Sequence, residues 1–119
     1  MANQNAKGFK RLINACIFST AGFKATWTHE EAFRQEVILF VVTTPLAIWL
    51  GKTTIEILLL IGSIVLVLLV ELLNSAVEAV VDRVGLEHHE LSGRAKDIGS
   101  AAVMLSLIWA GVTWALILL

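Results

Sequence analysis

The chain has 119 residues, 57% of them hydrophobic, with 16% charged and a formal net charge of −1. This length holds one small domain, and the near-neutral charge gives no electrostatic footprint for nucleic acid. The apolar residues are bunched rather than spread, which excludes an ordinary soluble domain, and the lone Cys16 excludes an internal disulfide.

The first residues, Met1 to Gly8, are polar and lack an apolar core segment followed by a small-residue cleavage site, so no signal peptide is expected. Residues 9–27 read as a surface helix. Phe9, Ile13, Cys16, Thr20, Phe23 and Trp27 recur at alternating spacings of 4 and 3, with Lys10, Arg11, Asn14 and Lys24 mostly off that stripe. Such a helix lies in the headgroup plane or packs on neighbours.

The first spanning segment is placed at 30–50. Its uncharged part, Val37 to Leu50, covers only about 21 Å of a hydrocarbon core roughly 30 Å thick, so Arg34, Gln35 and Glu36 must sit in or near the interface. Gly51-Lys52-Thr53-Thr54 forms a tight turn. The second segment spans 54–81, a polar connector spans 82–97, and the third segment spans 98–119. Ala102, Ser106 and Ala110 repeat at the small-xxx-small spacing used for close helix packing in lipid. The fold class is therefore an all-α membrane protein, one domain over residues 1–119, with a surface helix and three transmembrane helices.

Orientation follows from the cations. Lys7, Lys10, Arg11, Lys24 and Arg34 precede or begin the first segment, and Arg83, Arg94 and Lys96 lie in the second connector. Lys52 stands alone on the other side. This asymmetry places the N-terminus and second connector in the cytoplasm and the C-terminus outside.

The second segment carries the most informative residues. Ile57 to Val70 is uncharged, and then come Glu71, Asn74, Ser75, Glu78 and Asp82. At about 100° per residue these five share one helix stripe that runs from membrane depth to the surface. A carboxylate at such depth is costly and marks function by default; the alternative is that the acids pair with neighbouring helices to hold an oligomer. Glu71 and Glu78 are two turns apart, roughly 10.5 Å along the axis, too far to share one ion on a straight helix. Glu78, nearer water, suits a Mg²⁺ ligand beside nucleotide phosphates, whereas the deeper Glu71 suits a general base facing a lipid hydroxyl. Arg94 and Lys96 are placed to meet phosphate oxygens, and Gly93 and Gly99 permit close backbone approach.

Other motifs carry less. Gly51-Lys52-Thr53 looks like the end of a P-loop, but position 46 is Leu and the turn follows a helix. His88-His89 reads as a solvated loop pair, and His29 as interfacial. Trp27, Trp49, Trp109 and Trp114 read as interface anchors or lipid-facing residues.

Three blocks carry a resemblance. Glu71-Leu72-Leu73-Asn74-Ser75-Ala76-Val77-Glu78-Ala79-Val80-Val81-Asp82-Arg83 resembles the signature of the prokaryotic diacylglycerol kinases. His89-Glu90-Leu91-Ser92-Gly93-Arg94-Ala95-Lys96-Asp97-Ile98-Gly99-Ser100-Ala101-Ala102 is similar to that family's second block, and Ala32-Phe33-Arg34-Gln35-Glu36 to its first. The resemblance implies a homotrimeric kinase of the inner membrane that moves the γ-phosphoryl group of ATP to diacylglycerol, giving phosphatidic acid. It implies Glu71 as the base and Glu30 and Glu78 as Mg²⁺ carboxylates close to ATP. It puts Arg11, Phe18, Glu87, His88, His89, Lys96 and Asp97 at nucleotide contacts. It puts Arg34, Gln35, Glu36, Asn74, Asp82 and Ser100 at active-site or lipid-side positions, and it implies sites shared between protomers. The chain departs from the pattern at His88, where a family member has Tyr, and at Asn14, Thr20 and Ala21. Related enzymes of this fold phosphorylate undecaprenol, and a small proton-coupled transporter would also use a buried Glu.

Overall fold

The computed structural model describes residues 5–119, and every regular element among them is an α-helix. These are α1 (Gly8–His29), α2 (Glu31–Leu50), α3 (Thr54–Val84) and α4 (Glu90–Leu118). The chain divides into two compact units, one ending at Glu31 and one spanning Ala32–Leu119. In the first, α1 buries none of its residues, and the Glu30 backbone is extended (φ −118°, ψ 108°), which ends the helix.

In the second unit, α2, α3 and α4 are each long and apolar enough to cross a membrane. The turn between α2 and α3 is set by its own residues. Thr53 Oγ1 accepts from the Glu56 backbone N–H at 3.1 Å, while Glu56 Oε1 accepts from the Lys52 N–H at 3.2 Å. One orphan N–H of the helix start, that of Glu56, is thereby satisfied, and the Glu56 carboxylate ties back the chain just before the cap. A Cβ at Gly51 would stand 2.8 Å from the Ala47 carbonyl oxygen, so this turn needs glycine.

α3 and α4 form an antiparallel pair. Trp114 of α4 meets Leu60 of α3, Gly99 meets Asn74, and Lys96 meets Asp82, so numbers rise on one helix as they fall on the other. The core is thin: Ile64 and Val67 of α3 and Ala110 of α4, with Phe40 of α2 and Trp114 packed against it. Small side chains, Ser63, Ser106, Ala110 and Thr113, are buried along the seam, and large apolar ones such as Leu58, Leu105 and Leu116 face outward. This inverts the arrangement of a soluble bundle and suits a lipid surround. Ser106 and Ala110 thus act as their spacing predicts, whereas Ala102 is exposed.

Two expectations are corrected. The polar connector is not 82–97: α3 continues to Val84, and α4 begins at Glu90, eight residues before the third segment was placed. His89 caps α4, its Nδ1 accepting from the Leu91 N–H at 3.1 Å, and Glu90 pairs with Arg94 one turn on at 3.5 Å. A polar, Gly-containing stretch therefore stays helical because its end is capped. The second concerns Trp114, which packs on the protein core rather than facing only its surroundings. It is half-buried against the core, and its Nε1 donates to the Leu60 carbonyl at 3.2 Å. That carbonyl also accepts from Ser63 Oγ at 2.8 Å.

Candidate active site

The polar stripe of α3 lies on the seam with α4. Glu71 is 4% exposed, a buried carboxylate at the end of the uncharged run Ile57 to Val70. One turn later Asn74 is half-buried, and its Nδ2 donates to Glu78 Oε1 at 3.3 Å. One turn beyond Glu78, the exposed Asp82 Oδ1 meets Lys96 Nζ of α4 at 2.7 Å. Lys96 is also in Coulomb range of Glu78. The stripe thus grades from a buried carboxylate to a solvated ion pair over three turns, as the helical spacing predicts.

α2 adds a second acid. Glu36 is buried, its Oε2 has no hydrogen-bond partner, and it lies in Coulomb range of Glu71. Arg34, two residues earlier on α2, is half-buried, and Gln35 is exposed. Two buried carboxylates from different helices therefore lie within Coulomb range of each other, an arrangement that costs stability.

α4 presents two neighbouring faces. Lys96 and Gly99, one turn apart, meet the α3 stripe. The adjacent face opens into a cleft of about 500 Å³ lined by His88, Glu90, Gly93, Arg94, Asp97, Ile98 and Ala101. Of the expected nucleotide contacts, His88 and Asp97 line this cleft and Lys96 stands on the other face. His89 is engaged in the cap of α4, and Glu87 is exposed with its carboxylate turned back over Gly85. Ser100 is exposed beyond both groups. Arg11 and Phe18 are exposed on α1, and Glu30 is half-buried at its end; all three belong to the first unit. Sequence reasoning did not single out Ile98 and Ala101 as cleft-lining; their spacing from Arg94 and Asp97 by one turn each was the available signal.

Among the described residues no cluster of three or more His, Cys, Asp or Glu converges as a metal cage. Mg²⁺ held with a nucleotide does not need one, since one or two carboxylates and the phosphates complete its shell. Glu78 fits that role: one oxygen is steadied by Asn74, and the carboxylate retains acceptor capacity.

Comparison with known proteins places this arrangement. The family profile described as prokaryotic diacylglycerol kinase matches residues 17–118. The diacylglycerol kinase of Escherichia coli strain K12 is 52% identical over 118 residues, covering 99% of this chain and 96% of that protein. The diacylglycerol kinase of Pseudomonas aeruginosa is 54% identical over 112 residues (94% and 91%), and that of Haemophilus influenzae 52% over 107 residues (90% and 91%). With identity of this order over nearly the whole length and three membrane-capable helices, the chain is an integral membrane enzyme and belongs to the prokaryotic diacylglycerol kinase family.

Proposed function

We propose that the protein transfers the γ-phosphoryl group of ATP to the free hydroxyl of diacylglycerol at the cytoplasmic face of the inner membrane. The products are phosphatidic acid and ADP. The observation that carries this reading is Glu71: a buried carboxylate at membrane depth, on the same stripe as Asn74, Glu78 and Asp82, with Lys96 at its water end. A water-soluble phosphoryl donor and a lipid-borne acceptor meet only at such a boundary.

The roles divide by depth. Glu71 accepts the proton of the lipid hydroxyl as its oxygen attacks the γ-phosphorus and the bond to the ADP oxygen breaks. Transfer of this kind is mostly positioning and charge neutralisation. Glu78, with Glu30, holds Mg²⁺, which when bound offsets charge on the phosphates. Arg11, Phe18, Glu87, His88, His89, Lys96 and Asp97 contact the nucleotide. Arg34, Gln35, Glu36, Asn74, Asp82 and Ser100 line the lipid side. Residues 1–119 act as one kinase domain, and three copies assemble into a homotrimer whose sites draw on more than one protomer.

The acceptor is tested in mixed micelles at matched detergent load, following phosphate incorporation from ATP. Diacylglycerol is expected to be phosphorylated and undecaprenol not. The reverse preference would move the chain to undecaprenol phosphorylation, and turnover with neither lipid would favour a transporter.

The proposed orientation rests on eight cations against Lys52 alone. In a background lacking Cys16, cysteine at Lys52 is expected to react with a membrane-impermeant thiol reagent added outside cells. Cysteine at Glu87 should react only once cells are opened. The opposite pattern would put the nucleotide side away from ATP and overturn the orientation.

A further inference from the structure

Gly99 sits well inside α4, where glycine weakens a helix by roughly 1 kcal/mol relative to alanine. Its neighbourhood differs from that of the other α4 glycines. A Cβ built at Gly93 or Gly111 meets nothing within 4 Å, whereas one built at Gly99 collides with Asn74 Oδ1 and comes within 3.2 Å of Asn74 Cγ. The space of the missing side chain is filled by the Asn74 amide.

That amide has a fixed sense. Nδ2 donates to Glu78 Oε1 at 3.3 Å, and Oδ1 is buried with no hydrogen-bond partner. Turned over, the amide would set its oxygen against the Glu78 carboxylate, two acceptors facing each other. The carboxylate thus chooses the orientation, and the leftover oxygen must lie against something without a side chain. Gly99 supplies that surface. One turn along the seam, Lys96 of α4 holds Asp82 at 2.7 Å, so both helices are in register on either side of Glu78.

We propose that Gly99 is a positioning residue for phosphoryl transfer: its bare backbone seats the Asn74 amide, which in turn aims the Glu78 carboxylate. This rests on the reading of Glu78 as a Mg²⁺ ligand. Gly99 touches no reacting atom and acts only through Asn74. A methyl group at 99 would push the amide off its seat and release the carboxylate, while leaving the titratable groups of the site in place.

The test is a double-mutant cycle on the full-length enzyme, titrating Mg²⁺ at saturating ATP and lipid, with thermal unfolding in detergent measured alongside. Gly99→Ala is expected to raise the Mg²⁺ half-saturation about tenfold, the reach of one lost hydrogen bond to a charged group. Asn74→Ala should do the same, and Gly99→Ala with Asn74→Ala should be no worse than Asn74→Ala alone. Gly111→Ala, in open space on the same helix, serves as the control for alanine in α4 and should behave as wild type. A wild-type Mg²⁺ response in Gly99→Ala overturns the proposal. So do losses that add in the double variant, which would make Gly99 a packing residue independent of Asn74. Glu78→Gln in the same titration separates the layers. An impaired Glu78→Gln beside a normal Gly99→Ala sinks only the positioning role. A normal Glu78→Gln removes Glu78 from the metal and takes this inference with it.

Discussion

Glu71→Gln is expected to lower kcat by at least about 10²-fold, the usual reach of general acid–base catalysis. The substitution keeps the size and polarity of the side chain and removes its ability to take a proton. Because Glu71 lies two turns from Glu78, the change should leave the nucleotide side intact and hold ATP affinity within a few-fold. Loss in kcat and kcat/KM together is the mark of a group that acts in the transition state rather than in binding. Folding must be followed in parallel, since Glu71 is buried beside Glu36 and the seam. Turnover near that of wild type in a correctly assembled protein would remove Glu71 from the role of base.

The second large effect concerns shared sites. Glu30→Gln and Glu71→Gln are each expected to be inactive alone. Unfolded together in equal amounts and reassembled, they should recover activity if a site takes Glu30 from one protomer and Glu71 from its neighbour. In a randomly mixed homotrimer each such site needs one chain of either kind in the right order, so about a quarter of wild-type activity should return. If both residues come from one chain, no mixed trimer holds an intact site and activity stays at background. That result, with mixed assembly proved by differential tags, would end the composite-site proposal and leave the kinase reading standing.

Much of this architecture is legible in the sequence because lipid leaves few choices. An uncharged run such as Ile57 to Val70 can only be helical in a bilayer, and the 3.6-residue period then forces Glu71, Asn74, Glu78 and Asp82 onto one stripe. The helical state of Glu90 to Asp97 was not legible. Its polar composition and Gly93 read as a loop, and the feature that decides the matter is a histidine cap, which is rare beside Ser, Thr, Asp or Asn. The partner of Trp114 was hidden for a different reason. When both faces of a helix are apolar, periodicity no longer distinguishes the lipid side from the seam, and only the Leu60 carbonyl, 54 positions away in the chain, reveals it. Gly93 and Gly99 look alike in sequence, yet only Gly99 faces a neighbour, because it alone stands opposite Asn74.

The early start of α4 has one more consequence. From Glu90 to Asp97 the helix carries its polar residues on a rod about 12 Å tall, held by the His89 cap at its foot. A connector of that length without regular structure would have to be immobilised by each incoming ligand, at an entropic cost every time. Here the ordering takes place once, when the chain folds, so His88, Arg94 and Asp97 are already in place along the open cleft. Pre-organisation of this kind lowers the ordering cost that a flexible connector would add to each binding event.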